Sequence, residues 1–374
     1  MASISGRIVV VLLSPTMPSS TTPLPPEIIL KVFECLAHSK GDLVNISLCS
    51  RHFYDLVQPL LYYSFSVSSS SKICLWDHKK VALFLRQIRL KPHLAQHVKK
   101  LEVVVDPFRY FQGGEFHHSV AREEDESVRR WVRDALPNEV FGRDFCLQWH
   151  RAVFSPKYWD AVVAFILVVL PNLQTFEIDY NHWGPPRSRV AEDKNPYINI
   201  VLKHMASQQL YAPQPTEDIS LPRLVKVYVG VYQMEAIDLG QVVPFLKLTS
   251  LTKLEVNRAC QDGDFTHTQE QLSHVKDLTL FECHIGPSAA RTFFLSFHFL
   301  KIFKFKEYGI DPHRGEDGGF TPASVLEGLQ NSRHCLEELE LLNNDPGWGL
   351  GAARSTDPKS FRPLGSLADF TKLR

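Results

Sequence analysis

Seven cysteines and sixteen histidines are the side chains best suited to nucleophilic or metal chemistry, and their spacing is where a reading of function begins. The cysteines are Cys35, Cys49, Cys74, Cys146, Cys260, Cys283 and Cys335. Their number is odd and no two form a CxxC pair. Neither a disulfide framework nor a zinc knuckle is indicated, and a reducing compartment, cytoplasmic or nuclear, is the simplest setting. His117 and His118 are adjacent and cannot readily share one ion, while Cys283–His284 and His334–Cys335 have no second pair nearby. The chain contains no GxSxG nucleophile elbow and no GxxxxGK(S/T) phosphate loop. Gly347, Gly349 and Gly351 approach a glycine-rich phosphate loop, but Ala352 and Arg354 break the pattern. The expectation is a protein that is not an enzyme, with no catalytic residue, no cofactor and no metal.

Charge narrows the partners further. Lys plus Arg and Asp plus Glu both count 41, so nothing global draws the chain to nucleic acid or to an anionic membrane. The longest apolar run, Ala161 to Leu170, is half the length of about 20 residues that a membrane span requires. It reads as a buried helix. Residues 14–26 are rich in Ser, Thr and Pro and read as a flexible lead-in.

The elements that would present a binding surface come from an internal repeat. An apolar residue recurs at every third position and is followed by an alternating pair. The copies are Leu170, Leu173, Phe176, Ile178; Leu221, Leu224, Val227, Val229; Leu248, Leu251, Leu254, Val256; Leu272, Val275, Leu278, Leu280; and Phe297, Leu300, Phe303, Phe305. Partial copies are Val98, Leu101, Val103 and Leu336, Leu339, Leu341, and another starts at Leu367, Phe370, Leu373. The third apolar positions, Phe176, Val227, Leu254, Leu278, Phe303 and Leu339, are separated by 51, 27, 24, 25 and 36 residues. Three of these intervals match a leucine-rich-repeat period of about 20–29 residues. The Asn or Cys that such repeats place three residues beyond the alternating pair is present as Asn181, Cys283 and Asn344. Each unit gives a short strand and a return segment, and only stacking buries its apolar side. Return helices are expected from Gly286 to Phe294 and from Pro322, with Val325, Leu326 and Leu329 facing inward. Arg122 to Arg133, inside a charged insertion, reads as a solvated helix with its acidic end first.

The N-terminal part has a different character. Glu27 to Leu36 carries Ile28, Ile29, Val32, Phe33 and Leu36 at helical spacing, entered through Pro25 and Pro26. Asp42 is expected to cap a second helix with Leu43, Ile46 and Leu48. A third cluster, Phe53, Leu56, Val57, Leu60 and Leu61, is interrupted by Pro59. The serines of Ser66 to Ser71 mark a boundary, and an amphipathic helix follows over Asp77 to Leu90.

Leu24-Pro25-Pro26-Glu27-Ile28, then Asp42-Leu43, then Leu48-Cys49-Ser50-Arg51-His52-Phe53 and Leu56, Pro59, Leu60, Leu61, Tyr62 stand in the order and spacing of an F-box. The stretch from Leu24 to Phe65 resembles that family, in the style common among fungal F-box proteins with divergent leucine-rich repeats. The resemblance implies an α/β leucine-rich-repeat solenoid, a horseshoe, behind a small all-α F-box domain. The expected boundaries are a lead-in at 1–21, the F-box at 22–65, a linker and helix at 66–93, and repeats at 94–374 with the charged insertion near 107–160. It also implies the partners: a Skp-type adaptor, through it cullin and RING subunits of an SCF-type ubiquitin ligase, and an unknown protein target. Leu24, Pro25, Ile28, Ile29, Leu43, Leu48, Phe53 and Leu61 are the candidates for adaptor binding, with packing and interface roles undivided among them. The outward positions of the repeat strands, Glu177, Asp179, Tyr228, Glu255, Asn257, Thr279, Phe281, Lys304, Lys306 and Glu340, are the candidates for target binding. The alternative is a leucine-rich-repeat scaffold that binds proteins without any link to a ligase.

Overall fold

The structure is a computed structural model that describes residues 24–37, 39–67, 78–105, 122–154, 159–180, 196–211, 223–231, 236–261, 273–307, 322–343 and 366–374. Residues 1–21, Asn181, Asn344 and the glycines at 347–351 lie outside the described residues. The chain divides into two compact units, Met1–Leu61 and Tyr62–Arg374.

Among the described residues the first unit is three helices: α1 (Pro26–Cys35), α2 (Lys40–Cys49) and α3 (Arg51–Leu61). The Pro25 carbonyl accepts from the amides of Ile28 and Ile29, so the helix starts where a proline's missing N–H costs nothing. Two expectations change here. Asp42 lies inside the first turn of α2 rather than capping it, and its carboxylate accepts from the Ser39 hydroxyl at 2.6 Å. Pro59 does not stop α3, which runs on to Leu61. A proline so near the end forfeits only one i to i−4 bond. Phe33, Leu43 and Val57 form the buried centre, with Ile29, Leu36, Ile46, Phe53, Leu56, Leu60 and Leu61 packed round it. The Phe33 and Phe53 rings meet edge to face at 5.6 Å.

The second unit is built on strands β1 (Ser64–Val67), β2 (Lys100–Val105), β3 (Thr175–Tyr180), β4 (Lys226–Val231), β5 (Ile237–Asp238), β6 (Lys253–Asn257), β7 (Ala259–Gln261), β8 (Asp277–Phe281), β9 (His284–Ile285), β10 (Ile302–Glu307) and β11 (Glu338–Asn343). Eight form one sheet in the order β1-β2-β3-β4-β6-β8-β10-β11, and β5-β7-β9 form a second. Every pairing is parallel. Leu101, Phe176, Val227, Leu254, Leu278, Phe303 and Leu339 are successive register partners, so the third apolar positions aligned in the sequence form one row across the sheet. From Leu101 to Phe303 that row is buried. Burial contributes about 2 kcal/mol per large apolar side chain, against about 0.2–1 kcal/mol for a polar cross-strand pair, so the inward row holds the sheet and its outward face can vary.

Ser64 and Phe65, expected at the end of the first domain, belong to β1, which pairs with β2. The serine-rich stretch is therefore partly strand. Val81, Phe84, Leu85 and Ile88 of α4 (His78–Leu90) are buried as the spacing requires. Cys283 stands in for the repeat asparagine: its sulfur receives the Ala259 amide at 3.4 Å and lies 3.2 Å from the Phe281 carbonyl oxygen. One thiol thereby joins the backbones of adjacent turns. Return helices occur at Pro287–Leu295 and Pro322–Gly328, and Val325, Leu326 and Leu329 face inward.

The charged insertion is more than a solvated helix. Arg122–Ala135 buries Val132 and packs Val128 and Trp131 into the core, with the Trp131 ring 5.4 Å from Phe165. Helix Arg143–Val153 buries Trp149, whose indole N–H donates to the Ala161 carbonyl at 2.8 Å. Helix Trp159–Val169 holds the apolar run read as a buried helix, and its residues 159–167 are all buried. At the far end, the Arg374 amide donates to the Glu337 carbonyl, the role that the Glu337 amide plays toward Lys301 one repeat earlier.

Candidate functional site

Two surfaces could hold a partner. On the three-helix unit, helical geometry sorts the apolar residues. Leu43 and Leu48 are five residues apart, about 140° round α2, so they cannot face the same way. Leu43 is fully buried and Leu48 is 78% exposed. Of the candidates for adaptor binding, Leu24, Pro25, Ile28 and Leu48 are exposed, and Ile29, Phe53 and Leu61 are half-buried against the core. Leu43 is a packing residue and offers nothing to a partner. Val32 and Val44 are exposed apolar residues that are not among the adaptor candidates read from the sequence. The signal was present: Ile28 and Val32, like Val44 and Leu48, are four apart and so share a helix face.

The second surface is the outward face of the eight-stranded sheet. Glu102, Glu177, Tyr228, Glu255, Thr279, Lys304 and Glu340 form one row in register. Asn257, Phe281 and Lys306 lie side by side in the next row, and in the same row Asp179 stands opposite Gly230. All ten candidates for target binding therefore fall on this face. Thr279 is buried, however, and presents almost no surface.

Strand-initial residues, not singled out from the sequence, supply the countercharges. Lys100 reaches Glu177 at 2.9 Å and Glu102 at 2.5 Å. Lys253 bridges Asp277 at 2.9 Å and Glu255 at 3.1 Å, and Lys226 is 3.4 Å from Glu255. Donating hydrogen bonds to Asp277, and then to Glu255, holds the Lys253 ammonium above its ordinary pKa despite partial burial. Further along, Lys304 meets Glu338 and Glu340, and Lys306 lies 3.5 Å from Glu340 and 5.7 Å from the centre of the Phe281 ring. Such pairs contribute at most about 1 kcal/mol each, so they set the pattern of charge more than the stability. The alternation of the repeat could have revealed these positions, since each stands one residue before an apolar third position.

Residues 21–104 match the family model described as the COS11 F-box domain, and residues 76–374 match that of a leucine-rich repeat domain. The chain belongs to the leucine-rich-repeat family. It carries an F-box ahead of those repeats. No curated protein matches the chain. F-box and leucine-rich-repeat domains are interaction modules, typically without catalysis of their own. In this leucine-rich-repeat chain, no group of three His, Cys, Asp or Glu among the described residues could hold a metal ion. No helix among them is long and apolar enough to cross a membrane.

Proposed function

We propose that the chain is the substrate-recognition subunit of an SCF-type cullin-RING ubiquitin ligase. The F-box binds a Skp-type adaptor, which joins cullin and RING subunits. The sheet face, lining the inner side of a leucine-rich-repeat horseshoe, holds a protein target. No bond is made or broken by this chain. Its contribution is effective concentration: a tethered target meets the ubiquitin-loaded enzyme as an intramolecular partner. Such a complex would work in the cytoplasm or nucleus.

The observation that carries this reading is the set of exposed apolar side chains on the F-box unit. Leu24, Ile28, Val32, Val44 and Leu48 leave much of their surface in water, although among the described residues the buried core of the unit is only Phe33, Leu43 and Val57. So much apolar surface on so small a unit is the mark of an interaction site. The test is a pull-down of the full chain with purified Skp-type adaptor, comparing wild type with Leu24→Ala/Pro25→Ala. Wild type is expected to bind and the double variant to be depleted. If wild type does not bind, the ligase reading fails and a repeat scaffold without a ligase takes its place.

A further inference from the structure

We propose that the rim at the amino-terminal ends of the parallel strands is a docking strip for an acidic segment of a partner protein, with Lys99, Arg223 and Lys276 as its cationic contacts. This surface is separate from the F-box patch and from the outward sheet face. The inference stands independently of the ligase reading.

A backbone ladder builds the rim. The residue just ahead of each strand donates its amide to the carbonyl of the equivalent residue one turn earlier. Lys99 donates to Tyr63, Gln174 to Lys99, Val225 to Gln174, Thr252 to Val225, Lys276 to Thr252 and Lys301 to Lys276. Each of those carbonyls also accepts the amide of the residue that follows the donor. Two positions further back, every turn has a second rim residue: His97, Asn172, Arg223, Ser250, His274 and Phe299. Between the two columns, the buried Val98, Leu173, Leu224, Leu251, Val275 and Leu300 anchor each turn to the core. The rim positions therefore repeat at the strand spacing of about 4.8 Å.

Charge along these two columns has one sign. They hold Lys99, Arg223, Lys276 and Lys301 and no carboxylate. Lys301 is taken by Glu337 of the next turn at 2.8 Å. Among the described residues Lys99, Arg223 and Lys276 have no ion pair. The lysines of the sheet face differ: Lys100, Lys226, Lys253, Lys304 and Lys306 all have carboxylate partners. His97 senses the same field, because its pKa is lowered first by burial and then by His93 and Lys99.

Exposed apolar surface lies on the same strip. Val225 is 42% exposed and Phe299 43%. Phe299 stacks on His274 of the neighbouring turn with 5.6 Å between ring centres, so it is ordered before a partner arrives. Unpaired cations interleaved with exposed apolar side chains mark an interaction surface.

Spacing selects the occupant. In the sheet order β2-β3-β4-β6-β8, the turns carrying Lys99, Arg223 and Lys276 are each two strands apart, about 10 Å. A polyproline-II segment completes a turn in three residues and advances about 9 Å in doing so. Asp or Glu at every third position would therefore meet the cations in succession. Nucleic acid fits less well, since it brings a phosphate on every residue against so few cations. The carboxylates of Glu255 and Asp277 also begin the sheet face beside the rim.

The experiment selects a random-peptide display library on the intact chain. It counter-selects on Lys99→Gln/Arg223→Gln/Lys276→Gln once the two proteins show matching melting temperatures. Retained peptides should carry Asp or Glu at a spacing of three residues and weaken as salt rises. By fluorescence anisotropy, each single substitution should weaken them about 3-fold and the triple about 30-fold. Phe299→Ser should weaken them too, while Lys301→Gln, already paired, and Tyr228→Phe, on the sheet face, should bind as wild type. The single substitutions carry the test if the triple variant melts early. An empty retained pool, a pool without acidic enrichment, or undiminished affinity in the rim variants would each overturn the proposal. Tighter binding of homopolymeric RNA than of the retained peptides would also overturn it.

Discussion

Replacing Leu48 and Leu43 by alanine, one at a time, separates the packing of Leu43 from the adaptor contact proposed for Leu48. Leu48 leaves 78% of its surface in water and Leu43 leaves none. Covering an exposed leucine at an interface contributes about 2 kcal/mol, and truncation to alanine forfeits most of that. Leu48→Ala should therefore weaken adaptor binding by about 30-fold. It should leave the melting temperature almost unchanged, because exposed substitutions stay within about 0.5 kcal/mol and alanine is at least as good a helix former as leucine. Leu43→Ala should do the opposite. Emptying a fully buried leucine costs about 2–5 kcal/mol. The core centred on Phe33, Leu43 and Val57 is small, so that cost is a large share of the unit's stability. Titration calorimetry with the Skp-type adaptor and thermal unfolding of the same samples would read both quantities. Wild-type affinity in Leu48→Ala, with the fold intact, would refute the assignment of that face to the adaptor. A large fall in melting temperature for Leu48→Ala would refute the division of the two leucines itself.

Two other consequences concern the repeat unit. Burial pushes the Cys283 thiol up to about 12, leaving about one part in ten thousand as the nucleophilic thiolate at pH 8; iodoacetamide followed by mass mapping should label exposed Cys35 and Cys49 well before Cys283, and equal rates would contradict the packing of that residue. His204, whose Nε2 is buried without a hydrogen bond and whose ring lies 5.0 Å from Phe141, has its pKa lowered by burial. The unfolded chain therefore binds the proton first, and stability should fall as pH drops below the ordinary imidazole value of 6.5. His97 is lowered too, chiefly by burial, and acts in the same window. Chemical denaturation from neutral to mildly acid pH should show a shallower loss in His204→Phe than in wild type, and identical slopes would remove His204 from the account.

How far the sequence reached depended on the kind of periodicity involved. Phe176, Val227, Leu254, Leu278, Phe303 and Leu339 could be aligned by eye, because a stacked repeat must return the same side chain to the same place in every turn. The structure makes those residues register partners. Alternation along each strand likewise told which residues face outward. Thr279 departs from it, facing the outer row yet buried.

Elsewhere the chain alone was ambiguous. The insertion has the composition of a solvated helix, yet Val132 and Trp131 pack into the core, because the helix beneath them brings Phe165 to meet them. Short strands such as Ile237–Asp238 and His284–Ile285 carry too little pattern to be read, and they exist only because neighbouring turns pair them. The placement of the Tyr228 ring depends on a glycine two residues away and an asparagine on the adjacent strand of the sheet. The order and spacing of apolar residues determined that this protein would be an F-box followed by a stack of parallel strands, since both are local patterns repeated along the chain. Which leucine of α2 is core and which is surface, and which charges gather round which ring, only tertiary packing decided, because burial and neighbourhood are properties of what lies across the fold.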